Sequence, residues 1–200
     1  LYIYILIVSG FFPLAVIFLN RRNCTKSLHV SFILWLASRF TSDVTAHFFY
    51  EYIGISVFPV FHISILVESL LIIWYFFHIS KSLNGYLKII YLIPIAIFLL
   101  ETQVFGSIFT TNRFGLMSYY TIVSALMLTL LFSNNRIEQI DLTIIRVLFV
   151  FHAVSFVHSI FEHLLRTNQE TMALIYPFVL LLIVSINFFF TKYLWSVLKN

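Results

Sequence analysis

Long apolar stretches separated by short polar segments run along the whole chain. A helix needs about 20 mostly apolar residues to cross the hydrocarbon core of a bilayer, which is about 30 Å thick. The windows that meet this requirement are Leu1–Leu19, Val30–Tyr50, Pro59–Ile79, Leu87–Phe105, Gly115–Phe132, Leu142–Leu165 and Met172–Thr191. The connecting segments are short, so consecutive helices are expected to pack antiparallel. The pattern predicts an all-α, polytopic membrane protein whose seven-transmembrane-helix bundle forms a single domain over residues 1–200.

The composition agrees with a membrane protein and excludes several other classes. Of the 200 residues, 61% are hydrophobic and only 10% are charged, and the mean hydropathy is +1.00. Because about a quarter of the residues in a soluble domain are charged, this chain has too little polar surface for a fold in water. The single cysteine, Cys24, excludes an intrachain disulfide. The expected surroundings are a lipid bilayer, with no nucleic-acid partner.

The positions of lysine and arginine predict the orientation of the bundle. Cytoplasmic loops of membrane proteins carry an excess of these residues. If all seven windows cross the membrane, eight of the 12 basic residues fall on one side, namely Arg21, Arg22, Lys26, Lys81, Lys88, Arg136, Lys192 and Lys199. The opposite side receives only Arg113 and Arg166. This asymmetry predicts an N-terminus outside the cell and a C-terminus in the cytoplasm.

Ionisable residues recur at every fourth position of the second window: Arg39, Asp43, His47 and Glu51. This spacing places all of them on one face of a helix. Charged residues inside a membrane usually face the bundle interior and mark functional or structural sites. Glu68 lies at the depth of Arg39 in the neighbouring third window, so we predict an Arg39–Glu68 ion pair that fixes the packing of these two spans.

A second group of polar residues falls in the outer half of the membrane. Its members are Asp43, His47, His62, His158 and Glu162. Imidazole and carboxylate groups are ligand types of zinc and other transition metals, and a metal ion held by the three histidines is one interpretation. A haem bound between His47 and His158 is another. The third interpretation is a hydrogen-bonded polar network without metal, and no cofactor is predicted because no compact metal-binding motif such as H-E-x-x-H is present.

Two well-known classes of seven-span protein fit this sequence poorly. Retinal-binding proteins carry a lysine in the middle of the last span, whereas Lys192 lies at the cytoplasmic end of the seventh window. Membrane hydrolases of the ceramidase and adiponectin-receptor type carry an H-x-x-x-H motif late in the chain. The seventh window of this chain contains no histidine, so neither resemblance predicts an activity.

Three short segments support a different resemblance. They are Thr41-Ser42-Asp43, Pro59-Val60-Phe61-His62 leading to Val67-Glu68, and the region around Asn187. In these segments, and over most of its length, the chain resembles small uncharacterised seven-span bacterial proteins that are often encoded beside sensor histidine kinases. The resemblance implies a location in the bacterial cytoplasmic membrane and a sensory or accessory role. The implied partners are other membrane proteins, such as a sensor kinase.

Three functional hypotheses follow from the sequence. Because no catalytic set is complete, the first is a non-catalytic membrane protein that acts as a sensory or accessory subunit of a larger membrane assembly. The second is a metal-dependent membrane hydrolase that uses the outer-half histidines. The third is a small transporter, although an odd number of spans does not divide into two inverted repeats of the kind that many transporters contain.

Overall fold

The structure of the protein is a computed structural model that describes residues 2–21, 23, 28–54, 56, 58–79, 89, 92–104, 113–132, 137–165 and 169–199. The helices are α1 (Tyr2–Leu19), α2 (Val30–Phe48), α3 (Phe58–Ile79), α4 (Ile93–Val104), α5 (Arg113–Phe132), α6 (Gln139–Leu165) and α7 (Gln169–Leu198). No β-strand occurs among the described residues. The prediction of an all-α fold is therefore confirmed.

Fewer helices than predicted are long and apolar enough to cross a membrane. Each of the seven sequence windows overlaps one helix, but within the described ranges only three helical segments meet the requirements of length and hydropathy. These segments are Pro59–Ile79, Gln139–Val157 and Ile175–Leu198. By this measure the structure provides three candidate spans, whereas the sequence windows predicted seven.

The other predicted spans do not meet these requirements within the described residues. Two apolar segments, Tyr4–Leu19 and Met117–Phe132, are each shorter than 18 residues. Helix α4 is described over only 12 residues. Helix α2 is 19 residues long, but Arg39, Asp43 and several serine and threonine residues lower its hydropathy. The sequence windows were chosen by apolar content and gave little weight to these polar side chains.

The helices contact one another in an order that brings the first helix beside the last. Helix α1 packs against α2 and α7, and α2 packs against α3. On the other side, α7 packs against α6, α6 against α5, and α5 against α4. The largest fully buried side chains belong to α2, α3 and α7 and include Trp35, Tyr75, Phe32, Phe76 and Phe190. Aromatic rings of this size contribute much of the buried surface in a bundle.

The C-terminal end of α2 departs from regular α-helical geometry. Phe49–Ile53 form one π-helical turn, and Gly54 ends it with a φ angle of +70° and an N–H donated to the carbonyl of Phe49. Glycine adopts this left-handed conformation without steric cost, which makes it the usual residue at such a helix end. Because a π turn holds more residues than an α turn, the four-residue repeat of α2 does not continue to Glu51, which is exposed.

Candidate functional site

Arg39 and Glu68 meet at the contact between α2 and α3. The Ser64 hydroxyl donates a hydrogen bond to the Ser42 hydroxyl oxygen at 2.6 Å, which sets the register of the two helices. Arg39 lies three residues before Ser42 and Glu68 lies four residues after Ser64, so antiparallel packing places the two charges side by side. Their Nη1 and Oε2 atoms are 3.7 Å apart, and the two side chains are only 25% and 12% exposed.

The guanidinium of Arg39 has an aromatic partner as well. Its Cζ atom lies 4.0 Å from the centroid of the Phe151 ring on α6. A cation over an aromatic face is stabilised by the electrostatic field of the ring, by about 2 kcal/mol or more when water is excluded. Arg39 therefore connects α2 with α3 through a charge and with α6 through a ring.

A buried histidine and a buried tyrosine continue this arrangement. The Nδ1 atom of His152 lies 2.8 Å from the carbonyl oxygen of Leu148, to which it donates its proton. Its Nε2 atom is then the acceptor for the Tyr119 hydroxyl, 3.1 Å away. Tyr119 also forms a hydrogen bond with Ser69, the residue next to Glu68. We call Arg39, Glu68, Tyr119, Phe151 and His152 the central network.

Trp35 packs the central network from α2. It is 1% exposed, its ring stacks near His152 with centroids 6.4 Å apart, and it meets the Phe151 ring edge-on at 6.0 Å. The network thus joins α2, α3, α5 and α6 in the part of the bundle with the largest buried aromatic residues. The depth of Arg39 and Glu68 in the sequence predicts their approach. The role of Tyr119 is not predicted, because helical periodicity does not tell which residue of α5 faces α6.

Asp43 lies one helical turn beyond Arg39 on the same face of α2. Its charge acts on both Arg39 and Glu68. Within the described residues, however, the ion pair shorter than 4.0 Å is the one between Arg39 and Glu68. One guanidinium therefore faces two carboxyl groups, one in contact and one at longer range.

His47 contacts aromatic residues of α1 and of the π turn. Its ring meets the Tyr4 ring edge-on at 4.9 Å and the Tyr52 ring at 6.5 Å. His62 lies on α3, where it is 5% exposed. Of these two predicted outer-half histidines, His62 is thus buried on α3, whereas His47 is half-buried among tyrosines near the α1–α2 contact.

The predicted metal site cannot be assembled from the part of the chain that the structure describes. Within it, no three histidine, cysteine, aspartate or glutamate side chains lie close enough together to hold a metal ion. His158 and Glu162 belong to α6, but their side chains lie outside the described part. Convergence of the outer-half residues stays a prediction.

A further polar cluster, not predicted from the sequence, lies where α2 begins and α3 ends. The imidazole rings of His29 and His78 stack with centroids 3.8 Å apart and planes inclined by 20°. His29 also caps α2, since its Nδ1 accepts the backbone N–H of Ser31 at 3.3 Å. Beside them, the Tyr75 hydroxyl donates a hydrogen bond of 2.7 Å to Oδ1 of Asp141. We call the His29 and His78 pair the histidine stack.

The environment of the histidine stack affects the protonation of His29. Burial lowers the pKa of His29 below its ordinary value of 6.5, and the charge of His78 lowers the pKa further, while Asp141 opposes both effects. A neutral His29 is also the form that can cap α2, because an unprotonated Nδ1 is needed to accept the hydrogen bond from the Ser31 N–H. The signal was present in the sequence: both histidines lie at the same end of adjacent predicted spans.

The central network lines neither of two cavities found at the surface of the described bundle. One, of about 730 Å³, is bordered by α1 and α2 and is apolar except for Arg21. The other, of about 600 Å³, lies between α2 and α3. Its polar lining consists of the hydroxyl groups of Ser38, Thr41, Ser42, Thr45 and Ser64.

Comparison with known proteins gives no relative from which to infer a role. No protein-family model, curated protein or solved structure matches this chain. A function for the protein therefore has to be inferred from the geometry of the central network and the histidine stack, together with the distribution of charge along the sequence.

Proposed function

We propose that the protein is a multi-pass protein of the bacterial cytoplasmic membrane with seven transmembrane helices. Three helices have the length and hydropathy of a membrane span, and a helix lies in each of the remaining windows. The excess of basic residues in alternate loops supports an N-terminus outside and a C-terminus in the cytoplasm. A charged pair inside the bundle is also typical of polytopic membrane proteins.

Labelling of single cysteines tests this topology. In a chain whose Cys24 is replaced by serine, one cysteine is placed at Lys81 and, in a second variant, at Arg166. A membrane-impermeant thiol reagent added to intact cells should label the cysteine at Arg166 and not the cysteine at Lys81. Labelling at Lys81 from outside contradicts the proposed orientation, and lysed cells provide the control for reactivity.

We propose that within this membrane the protein acts as a non-catalytic sensory or accessory subunit. The observation that carries this proposal is that the polar groups of the central network bind one another inside the bundle. A catalytic site instead directs polar groups into a cavity that a substrate can enter, and neither of the two cavities described above is lined by a residue of the network. The network thus has the character of a packing element that joins four helices.

A sensory role also agrees with the arrangement of the network in the bundle. A signal that crosses a membrane protein needs a packed element with more than one arrangement, whose equilibrium the input changes. The Arg39 guanidinium is shared among Glu68, Phe151 and, at longer range, Asp43. A shift of this one side chain would change contacts on α2, α3 and α6 together. The resemblance to proteins encoded beside sensor kinases supports the same role.

Purification with its native partners tests the proposed role. The full chain is tagged, isolated from native membranes in a mild detergent, and analysed for partner stoichiometry and metal content. We expect a membrane protein at a fixed stoichiometry and far less than one equivalent of metal. The partner is then reconstituted in vesicles with and without this chain, and its activity should depend on the chain.

The opposite result favours the hydrolase hypothesis. A chain that purifies alone with one equivalent of zinc would contradict the proposed role, particularly if the metal is lost in His47→Ala and His62→Ala variants. A His78→Ala variant is the matched control, because His78 lies at the far end of α3. Partner binding with no effect on the activity of the partner would contradict the sensory or accessory role as well.

A further inference from the structure

We propose that Asp43 and Glu68 together bind one proton at neutral pH, with Arg39 as the cation that they share. This inference deepens the sensory function proposed above and rests on the membrane location of the bundle. It makes the central network a proton-binding site, whose ligand is the proton itself.

The geometry places two acidic groups beside a single basic one. Glu68 Oε2 is 3.7 Å from Arg39 Nη1. Asp43 follows Arg39 by one turn on the same face of α2, and its charge acts on both other groups. The Glu68 side chain is only 12% exposed, and that remaining surface faces hydrocarbon or the bundle interior if α3 crosses the membrane.

Within the described residues, the neighbouring helices bring no second arginine or lysine to this level. From α5, Tyr119 and Tyr120 contribute hydroxyl groups. From α6, His152 contributes an imidazole that is only 1% exposed, and both its burial and the neighbouring charge of Arg39 favour the uncharged form. The described part of α1 contributes Tyr4, which packs on His47 one turn further along α2.

The charges in this interior therefore do not balance when both carboxyl groups are ionised. Arg39 supplies one positive charge against two negative charges, which leaves a net charge of −1. An unpaired charge in a low-dielectric interior costs several kcal/mol, whereas one bound proton restores neutrality. Because the two carboxyl groups interact through the same cation, the proton belongs to the pair and not to either residue alone.

Release of the proton would change the packing of the bundle. The network would then carry an unbalanced negative charge between α2 and α3. Separation of these helices, or entry of water, would relieve that charge. Proton binding is thereby coupled to the contact that Arg39 makes with α6. A change in protonation would therefore change the packing of the helices.

Infrared spectroscopy of the full chain in lipid nanodiscs tests the proposal directly. With carbon-13-labelled aspartate and glutamate, the C=O stretch of a protonated carboxyl group can be assigned by its isotope shift. We expect this band at neutral pH in the parent protein. We expect its loss in both Asp43→Asn and Glu68→Gln, since the remaining carboxylate in each variant pairs with Arg39 and no longer needs the proton.

Removal of the shared cation should have the opposite effect. In Arg39→Met both carboxyl groups lack a positive partner, so both should be protonated and the band should double. Glu51→Gln is the matched control, because Glu51 is exposed in the π turn beyond α2, and its band should equal that of the parent protein. If Arg39→Met does not fold, the two amide variants decide the test.

Three results would overturn the proposal. They are the absence of the band from the parent protein, its retention in both amide variants, and its loss in only one of them, which would indicate an ordinary isolated neutral carboxyl group. These results are independent of partner binding. A missing band with a bound, chain-dependent partner refutes the proton site alone, whereas the expected bands without any partner refute only the accessory role.

Discussion

The contact between α2 and α3 and the contact between α1 and α7 each join two neighbouring helices, but they use different chemical groups. Between α2 and α3, a guanidinium meets a carboxyl group at 3.7 Å beside a serine–serine hydrogen bond. Between α1 and α7, the Asn187 amide donates to the Ser9 hydroxyl at 2.9 Å, and the rings of Phe12 and Phe188 lie 5.5 Å apart. The first interface uses charge and the second uses neutral groups.

This difference determines how specific and how fragile each interface is. A buried ion pair contributes little net stability compared with well-packed apolar residues, but removal of one partner leaves a charge that the interior cannot solvate. A neutral hydrogen bond between membrane helices contributes about 0.6 kcal/mol on average, and its loss is tolerated. The α2–α3 interface is therefore expected to define the register of the bundle, whereas the α1–α7 interface fills space.

The largest effect is expected when the cation of the first interface is removed. Arg39→Ala removes the cation that Glu68 and Asp43 share, so the folded chain must bury an unpaired carboxylate or bind a further proton. The free energy of unfolding should fall by about 3–5 kcal/mol, the usual cost of a broken buried pair. Glu68→Ala should cost less, because Asp43 can then pair with Arg39. Unfolding in mixed micelles measures both values. Arg146→Ala, at an exposed position of α6, is the control, and an equal loss in that variant would contradict this account.

A smaller effect is expected at the far end of the same interface. His29→Ala removes the cap of α2 and the ring that stacks on His78, and loss of a cap costs about 1 kcal/mol. His29→Asn should retain most of the stability, because asparagine is among the best capping residues. Equal stabilities of the alanine and asparagine variants would show that the cap contributes nothing.

The histidine stack should also make the stability depend on pH. Because the pKa of His29 is lowered in the folded chain, the unfolded chain binds this proton more readily. The stabilising contribution is fully present above the ordinary value of 6.5 and is lost as the pH falls through the lower value of the folded state. His29→Asn should remove this part of the pH dependence, and a pH profile unchanged by that substitution would refute the assignment to His29.

The smallest effect is expected at the neutral interface. Asn187→Leu removes the amide that binds Ser9, but the Ser9 hydroxyl keeps its own hydrogen bond to the Leu6 carbonyl at 3.0 Å. We expect a loss of about 0.6 kcal/mol in the free energy of unfolding. A loss as large as that of Arg39→Ala would remove the contrast between the two interfaces.

The sequence predicted where the helices lie along the chain and at what depth each polar residue lies along its helix. The apolar windows located the helices, and the shared depth of Arg39 and Glu68 placed the two residues at one level of neighbouring spans. Depth follows from counting residues between the membrane surfaces at 1.5 Å per residue, and such a count needs no knowledge of how the helices are rotated.

The sequence did not predict the side-chain contacts between helices, because these depend on how each helix is rotated about its axis and on which helices lie side by side. Tyr119 and His152 meet because α5 and α6 present particular faces to each other, and His47 turns to Tyr4 because α1 lies beside α2. Helix ends were not predicted either: α7 runs to Leu198, beyond the window that ended at Thr191, because hydropathy windows do not show where a helix ends. The π turn after α2 illustrates this, because its position depends on Gly54 and not on apolar content.

A double-mutant cycle on Arg39 and Glu68 tests most directly whether these two side chains stabilise the bundle as a pair. The free energies of unfolding of Arg39→Met, Glu68→Leu and the double variant are compared with that of the parent protein in the same lipid and detergent mixture. Contacting charges typically show a coupling energy of about 0.5–3 kcal/mol. We predict a coupling in this range and a double variant that is more stable than Arg39→Met alone. Strictly additive losses would contradict the pairing.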